Sequence, residues 1–362
     1  GIMWRPQGDQ QEQYIYLSQL ANSDLTYEKK KEFNIGVDLG FLNNRLNLSS
    51  DFYWRDNYDL MGYVNTPGAG GETRKFANVA SMRSHGLEAT ISSQNIRTKD
   101  FDWSTDLTYS YTKTKIKDVL SQANVIGLVY NSGSNIRKGY PHRSIFSIPF
   151  VGLNDEGIPQ VINEKGEVTT TDINFQEYQN LGFLKYEGPT EPTMNGGLNN
   201  TLRYKNWRLN IFVTYSFGNK IRLDPTFSSS YSDMSAMPKE FKNRWVMPGD
   251  EKITSIPAIA SVRQYYNDTQ LSFAYNSYNY STERIADGGF IRLKDVSLTY
   301  DVPRSFLSKI GLSTAAIKLD ATNLCLLYAD DKLNGQDPEF VNSGGVATPL
   351  SKQFTLTVRL GL

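Results

Sequence analysis

Regular alternation of apolar and polar residues is the feature that most constrains how this chain can fold. In the most regular stretch, Trp207 to Phe217, the odd-numbered residues are all apolar, whereas Arg208, Asn210 and most other even-numbered residues are polar. Successive side chains of a β-strand point to opposite faces, so the pattern predicts a strand with one apolar and one polar face. Leu198 to Tyr204 leads into a Lys205-Asn206 turn and completes a predicted hairpin. The apolar row ends in aromatic residues, as expected of a row that faces lipid.

The same pattern recurs along the whole chain and predicts about 11 strands. They form hairpins at 33–54, 85–116 and 198–217, a pair at 144–151 and 158–162, and single strands at 285–303, 314–324 and 354–362. In the strand 285–303, Val296, Leu298 and Tyr300 share one face, but Ile291 and Leu293 have the opposite parity. The change near Lys294 predicts a β-bulge or the rim of the apolar environment, with Val296, Leu298 and Tyr300 facing lipid.

Composition narrows the class of protein. The 38 Lys and Arg residues balance 38 Asp and Glu residues, so no basic stripe indicates nucleic acid as a partner. No apolar run approaches the roughly 18 residues of a membrane helix, whereas a barrel strand needs only about 10 alternating residues. The single Cys325 excludes a disulfide framework within the chain. With 22 Tyr, 18 Phe and 5 Trp, the chain has the aromatic content that suits strands with one apolar face.

The predicted connections alternate in length. Those at 43–44, 96–100, 205–206 and 302–313 are short, and those at 61–83, 117–142, 220–284 and 326–350 are long. Outer-membrane barrels have short periplasmic turns and long extracellular loops. Because neighbouring strands run in opposite directions, this alternation requires either zero or two strands between Ile116 and Gly196. We assign two, at 144–151 and 158–162. The prediction is an all-β fold, an antiparallel transmembrane β-barrel segment of about 11 strands within a larger barrel.

Six stretches, in this order, resemble the carboxyl-terminal half of the SusC/RagA family of TonB-dependent outer-membrane transporters. They are LTYEKKKEFNIGVDLGFLNNRL (25–46), NVASMRSHGLEATI (78–91), GGLNNTLRYKNWRLNIFVTYSFGNKI (196–221), NRWVMPGDE (243–251), ADGGFIRLKDVSLTYDVP (286–303), and DPEF with KQFTLTVRLGL (337–340 and 352–362). The resemblance spans nearly all of residues 1–362.

The resemblance implies a plugged barrel of about 22 strands in the bacterial outer membrane. Family members import oligosaccharides or peptides with energy delivered by TonB, and a SusD-like surface lipoprotein covers the barrel. The chain shows neither a plug domain nor a TonB box, so we expect it to be one segment of a longer polypeptide. The implied partners are the SusD-like lipoprotein, the amino-terminal half of the same transporter, TonB through that missing part, and membrane lipid with lipopolysaccharide.

The long loop before residue 285 is rich in aromatic residues, which we treat as candidate contacts for a ligand or protein partner. Exposed aromatic rings stack on sugars or anchor a protein. The alternative is that these rings pack the loop against its neighbours. The candidates are Tyr265, Tyr266, Phe273, Tyr275, Tyr278 and Tyr280.

Two further kinds of chemistry are weighed and not favoured. Asp330, Asp331, Asn334 and Asp337 could supply oxygen ligands to a structural Ca²⁺, but their spacing does not fit an EF-hand loop, and an Asx-rich turn is the preferred interpretation. His85 and His142 are far apart in the sequence, and neither lies in a motif that supplies a nucleophile and an orienting group. We therefore expect no enzymatic activity and no cofactor. The competing class of protein is a secreted or surface-exposed, adhesin-like β-protein that never enters a bilayer.

Overall fold

The computed structural model describes residues 2–7, 10–15, 22–68, 73–120, 123–130, 136–229, 231, 237–268, 270–307, 311–341 and 351–361. For residues 2–7, 10–15, 65, 262 and 265 it describes the backbone alone. The strands in chain order are β1 (Ile2–Gln7), β2 (Gln10–Ile15), β3 (Lys29–Phe41), β4 (Leu46–Asn65), β5 (Arg74–Arg97), β6 (Phe101–Val119), β7 (Ser144–Ser147), β8 (Phe150–Leu153), β9 (Pro159–Ile162), β10 (Val168–Thr169), β11 (Lys185–Pro189), β12 (Met194–Tyr204), β13 (Trp207–Phe217), β14 (Lys220–Arg222), β15 (Ile285–Asp287), β16 (Phe290–Asp301), β17 (Thr314–Tyr328) and β18 (Gln353–Gly361).

Short helices lie between some of these strands. The α-helices are α1 (Val125–Tyr130), α2 (Val262–Asn267), α3 (Leu271–Asn279), α4 (Arg304–Leu307) and α5 (Pro338–Val341). Single 3₁₀ turns occupy Lys239–Asn243, Asp250–Lys252, Thr282–Arg284 and Asp331–Leu333. Among the described residues, no helix has both the length and the apolar character required to cross a membrane.

Nine strands form one antiparallel sheet, which we call the wall. Its order is β18-β17-β16-β13-β12-β6-β5-β4-β3, and it is not closed within the described residues. The apolar side chains predicted from the alternation lie on one side, the outer face. On β3 these side chains are Phe33, Ile35, Val37, Leu39 and Phe41, all solvent-exposed in the isolated chain. The opposite side, the inner face, carries polar groups such as Glu32, which pairs with Arg55 at 3.1 Å.

The register of β13 confirms the bulge predicted at Lys294. Phe212 lies opposite Asp295 and Val213 lies opposite Leu293, so Lys294 is left out of the ladder. Because of this extra residue, Leu293 and Val296 both lie on the outer face, although their parities differ. The bulge keeps the outer face apolar from one end of β16 to the other. The strand predicted at 285–303 is nevertheless two strands, since β15 pairs with β14 and is not part of the wall.

The loop lengths confirm the predicted asymmetry between the two ends of the wall. One end has the turns 42–45, 98–100, 205–206 and 302–313, whereas the other has the long segments 120–193, 218–289 and 329–352. The connection predicted as a loop at 61–83 is shorter, because β4 and β5 continue through most of it. Tyr63 and Phe76 are register partners there with ring centroids 5.2 Å apart, and β4 ends at Asn65 while β5 begins at Arg74.

The pair predicted at 144–151 and 158–162 is wrong as part of the wall. All four residues of β7 are buried, and β7 pairs with β11, whereas β8 pairs with β9. A strand buried on both faces does not show the alternation of a wall strand. In the wall, β6 pairs directly with β12, so no strand lies between them. The strand directions allowed either zero or two strands at this point, and the structure has zero.

The described residues of 123–193, 218–289 and 329–341 pack together at one end of the wall, and we call them the loop assembly. It has three hydrophobic cores. The first packs α1 against β7 and β9, the second surrounds α3, and the third joins Ile221, Leu223, Ala286 and Leu333. The loop assembly thus has interiors of its own and is not a set of independent loops.

Candidate functional site

The aromatic residues selected from the sequence separate into buried and exposed groups. Tyr275 and Tyr278 are 1% and 0% exposed, and both belong to the core around α3. The Tyr275 hydroxyl donates to the Ala258 carbonyl at 2.8 Å, and the Tyr278 ring meets the Phe227 ring edge-on at 5.0 Å. Burial raises the pKa of both phenols well above the ordinary value. These two rings pack the loop, so the contact role predicted for them is corrected.

The other aromatic candidates differ in accessibility. Tyr280 is also buried, and the guanidinium of Arg222 lies 5.8 Å from its ring centroid, so it too is a packing residue. Tyr266 and Phe273 are exposed on α2 and α3, and Phe273 also contacts the Phe175 ring. The side chain of Tyr265 lies outside the described residues. A contact role therefore stays a prediction for Tyr266 and Phe273.

A cavity of about 670 Å³ lies between the wall and the loop assembly, and we call it the mouth cavity. Met82 on β5 and Ile116 on β6 are register partners near the loop assembly, and they line the cavity on the side of the wall. Thr112 also contributes, and its hydroxyl is 2.8 Å from the Tyr53 hydroxyl on the inner face. From the loop assembly come Tyr186 on β11 and the segments around 141–143 and 189–193. The cavity therefore borders the inner face where the wall meets the loops.

The lining of the mouth cavity combines paired charges with an aromatic cluster. Arg143 and Glu191 form an exposed ion pair across the cavity edge at 3.2 Å. Tyr186 lies 4.9 Å from Tyr140 and 5.6 Å from Phe146, centroid to centroid, and partial burial raises the pKa of its phenol. Aromatic faces beside hydrogen-bonding and charged groups suit a polar oligomeric ligand.

The acidic segment considered for calcium is used for other contacts. Asp330 accepts hydrogen bonds from the backbone amides of Asp287 and Lys332 at 2.6 and 2.9 Å, which caps the 3₁₀ turn Asp331–Leu333. Asn334 has a left-handed backbone conformation that ends the turn. In the part of the chain that the structure describes, no group of three or more His, Cys, Asp and Glu residues is placed to hold a metal. The segment has the geometry of an Asx-rich turn.

Asp337, the fourth candidate ligand, forms a buried ion pair with the wall. Both of its carboxylate oxygens lie 2.6 Å from one guanidinium nitrogen of Arg292, and Glu339 lies 3.2 Å from the same nitrogen. The Arg292 and Asp337 side chains are each 6% exposed. This pair attaches the segment after β17 to the inner face of β16.

The two histidines lie on different surfaces. His85 is on the outer face opposite Trp54, and His142 is exposed at the mouth cavity. Within the described ranges, neither ring has a side-chain hydrogen bond, so neither is held against a nucleophile as general-base catalysis requires.

Sequence reasoning did not find the mouth cavity. Its lining comes from Leu60, Met82, Thr112, Arg143 and Tyr186, which lie on separate elements. Each segment has an ordinary local pattern, and only the docking of the loop assembly brings these residues together.

Comparison with known proteins shows similarity along nearly the whole chain. Residues 4–324 match the family model described as TonB dependent receptor-like, beta-barrel. The TonB-dependent receptor P3 of Formosa agariphila is 27% identical over 92% of this chain and 32% of its own length. The TonB-dependent receptor SusC of Bacteroides thetaiotaomicron is 23% identical over 94% of this chain and 32% of its own length. The chain thus spans about a third of the length of these curated relatives.

Solved structures show the same fold. The RagAB peptide importer in its open-open state superposes with a TM-score of 0.75 at 23% identity, covering 100% of this chain and 37% of that chain. Its closed-closed state gives a TM-score of 0.73 at 24% identity, with 99% of this chain and 38% of that chain covered.

Proposed function

This chain belongs to the TonB-dependent receptor-like β-barrel family, and on that premise we propose that it is the carboxyl-terminal barrel segment of a transporter that imports oligosaccharides or peptides. It is a protein of the bacterial outer membrane. We assign three parts to the rest of the polypeptide: the remaining strands of a barrel of about 22 strands, the plug, and the contact with TonB.

The observation that carries the proposal is the two-faced wall with loops at one end. Its outer face is apolar and exposed, which only a lipid environment satisfies over so many strands. Its inner face is polar, as expected of a water-filled lumen. The folded loop assembly and the mouth cavity then lie at the extracellular entrance, where a nutrient is first bound.

The chemistry of the mouth cavity supports an oligomeric polar substrate. Tyr186 offers a ring face, Thr112 and Thr193 offer hydroxyls, and Arg143 and Glu191 offer opposite charges. Sugars use the ring faces and hydroxyls, whereas peptides use the charges and hydrogen bonds as well. Both classes fit, and the RagAB relative is named as a peptide importer.

We assign a SusD-like lipoprotein as the partner that covers the extracellular entrance. This follows from the resemblance of the sequence motifs to the SusC/RagA family. Tyr266 and Phe273, exposed on the loop assembly, are the candidate contacts for that partner or for substrate. Large aromatic side chains contribute strongly to protein interfaces.

The test is an uptake assay in the source bacterium with the full-length transporter. Deleting its gene should abolish uptake of either labelled oligosaccharides or labelled peptides, and a protonophore should do the same in the parent strain. Arg143→Ala with Glu191→Ala should lower uptake several-fold at low substrate concentration, because the cavity loses its paired charges. Lys165→Ala with Asp172→Ala is the matched control, since this pair is equally exposed and lies away from the cavity.

Unchanged uptake of both substrate classes in the deletion strain would contradict the transport proposal. Equal effects of the two double substitutions would contradict only the role of the mouth cavity. Exposed ion pairs contribute about 0–1 kcal/mol to stability, so neither double substitution should prevent barrel assembly.

A further inference from the structure

Arg222 on β14 links two parts of the loop assembly, the segments 123–193 and 218–289. Its Nη2 atom donates to the Phe146 carbonyl oxygen at 2.6 Å and to the Ser147 hydroxyl at 3.1 Å. Both acceptors belong to β7, where Phe146 and Ser147 are 1% and 0% exposed. Since β14 follows β13 and β7 lies between β6 and β12, this side chain joins segments that are far apart in the sequence.

The carbonyl group that Arg222 holds lies opposite the aromatic lining of the mouth cavity. Phe146 is the register partner of Tyr186 on β11, and among the described residues β11 pairs with no strand other than β7. The Tyr186 ring packs against the rings of Phe146 and Tyr140, and it lines the cavity. The position of Tyr186 therefore depends on β7, and Arg222 fixes β7 at the residue opposite Tyr186.

A β-bulge brings β11 against β14. The ladder between β11 and β7 passes from Tyr186 to Gly188, so Glu187 is left out of it. Gly188 has a φ of +146°, and a Cβ atom at this position would lie 2.9 Å from the Lys220 Cγ atom on β14. Glycine allows both this backbone conformation and this close approach. The bulge thus places Glu187 beside the strand that carries Arg222.

Arg222 and Glu187 carry complementary charges that are shielded from water. The Glu187 side chain is 9% exposed, and its ion-pair partner Lys185, at 3.3 Å, is largely exposed. Burial lowers the pKa of Arg222 to about 10, and Glu187 is the carboxylate whose charge opposes this shift. Within the described ranges, the shielded atoms Arg222 Nη1 and Glu187 Oε1 have no hydrogen-bond partner. A shielded cation needs a nearby anion, and Glu187 supplies it for Arg222.

Starting from the proposed role of the mouth cavity in substrate uptake, on which this inference rests, we propose that Arg222 and Glu187 are positioning residues for substrate binding. Arg222 fixes β7 opposite Tyr186, and Glu187 holds the guanidinium in the orientation that reaches Phe146. Neither side chain lines the cavity, so both act through Tyr186 and not by contact with substrate.

The first test is hydrogen exchange of the full-length transporter in detergent, read by mass spectrometry. In Arg222→Gln, the amides of 144–147 and 185–188 should exchange about tenfold faster, because β7 loses hydrogen bonds from a charged group. A backbone bridge between Ile148 and Ser281 still joins the two segments, so the remaining amides of the loop assembly should exchange as in the wild type.

The matched control is Lys220→Gln, which removes one positive charge from the same strand. Lys220 pairs with Asp287 at 3.0 Å and makes no hydrogen bond to β7, so its exchange should equal that of the wild type. Arg222→Lys keeps the charge but lacks the planar guanidinium, so it should restore protection only in part. Wild-type exchange in Arg222→Gln would overturn the positioning role, as would equal acceleration in the control.

The second test measures uptake of the labelled oligosaccharide and peptide mixtures by cells that carry each variant. Arg222→Gln and Glu187→Gln should each raise the apparent KM about tenfold and leave the maximal rate unchanged, because they weaken substrate binding alone. The double variant should have about the same apparent KM as each single variant, since both residues act through one contact. Multiplying effects in the double variant would overturn the assignment of the two residues to one positioning unit.

The uptake measurements also separate this role from transport itself. If the wild type imports neither mixture, the transport function is contradicted, and the role of Arg222 in substrate binding is overturned with it. If the wild type imports one mixture and both single variants keep its apparent KM, only the positioning role is overturned. Heat-modifiable gel migration confirms that each variant is folded.

Discussion

A single buried arginine attaches part of the loop assembly to the wall. Arg292 projects from the inner face of β16, and its guanidinium meets Asp337, which lies 45 residues further along the chain. Both side chains are almost completely shielded from water. A buried cation is tolerated only with a partner, since its hydration is lost. Asp337 therefore determines whether the segment 331–341 can dock against the wall.

We predict that Asp337→Ala releases this segment. Arg292 then keeps only Glu339, which lies 3.2 Å from the same nitrogen and is 44% exposed, so the loss of its buried partner should cost about 3 kcal/mol locally. Hydrogen exchange of the amides in 331–341 should become at least tenfold faster, read by mass spectrometry on the full-length protein. Asp331→Ala is the control, since Asp331 is exposed in the same turn and pairs with no cation among the described residues. Equal protection in both variants would show that the ion pair does not hold the segment.

Asp337 also shows what sequence reasoning cannot find at the scale of residues. The acidic spacing at 330–337 identified a place where oxygen atoms gather, and the structure confirms an Asx-rich turn there. The partner of Asp337 is invisible in the local pattern, because Arg292 alternates within its strand like any other inner-face residue. Long-range pairing of charges depends on how the loop assembly docks.

At the scale of elements, the bulge at Lys294 explains how a strand whose apolar residues change parity still has one continuous apolar face. Leu293 pairs with Val213 and Val296 pairs with Ile211, so the bulge returns the strand to the same face. The sequence contains this information because the parity change is local. The prediction of a bulge at this residue was possible for that reason.

Deleting Lys294 together with Asn323 should therefore be tolerated. β17 has an extra residue beside the bulge, since Leu293 lies opposite Cys325 and Asp295 lies opposite Thr322, so deleting Lys294 alone would leave two unmatched residues on β17. Without Lys294, Ile291, Leu293 and Val296 have matching parity in an uninterrupted ladder with β13, and the outer face stays apolar. Deleting Ser297 instead shortens a regular part of β16, which moves either Asp295 or Arg292 towards lipid. Heat-modifiable migration of the full-length protein should show near-normal assembly for the first deletion and little for the second. Loss of assembly in both would mean that the bulge has a further structural role.

The loop assembly should lose its structure at alkaline pH before the wall does. Burial raises the pKa of Tyr275 and Tyr278, so their phenols ionise more readily when the loop is unfolded than when it is folded. The stability linked to these protons is complete below about pH 10 and decreases as the pH rises above it. Near-ultraviolet circular dichroism should fall together with the appearance of tyrosinate absorbance, while the far-ultraviolet signal of the wall persists. Simultaneous loss of both signals would argue against a separately stabilised loop assembly.

Wall strands were predictable from sequence, whereas loop strands were not. Each wall strand meets lipid on one side and water on the other, which enforces alternation that can be read without a structure. Strands such as β7 and β9 are buried within the loop assembly, where continuous apolar runs have no characteristic period. The error at 144–162 follows from this physical difference.

At the scale of the whole molecule, the wall separates two solvents. Ile211 and Asn210 are neighbours on β13, midway between its two aromatic ends, and they project to opposite faces. Ile211 meets lipid, and Asn210 meets the lumen, where its amide oxygen accepts from the Thr201 hydroxyl at 2.9 Å.

The substitution Ile211→Lys should reduce the folding free energy by about 2–4 kcal/mol, because it places an ammonium group near the bilayer midplane. Asn210→Lys should change it far less, since the inner face is wet. Urea titration of the full-length protein in lipid vesicles measures both values. Similar losses in the two variants would contradict the assignment of the faces.

The candidate site is the least predictable part of the molecule. The aromatic richness of residues 265–280 was visible in the sequence, but burial removed Tyr275, Tyr278 and Tyr280 from the candidates. Composition alone does not distinguish an aromatic ring buried in a core from an exposed ring that could bind a ligand. The mouth cavity depends on where five elements meet, which no local pattern encodes.

The two unpaired edges of the wall affect how it can insert into a membrane. Within the described residues, β3 and β18 each have one neighbour, so along the 13 residues of β3 about half of the amide and carbonyl groups point to an empty side. In hydrocarbon, each unpaired group costs several kcal/mol. The edges of this arc therefore need partner strands wherever they lie in the bilayer.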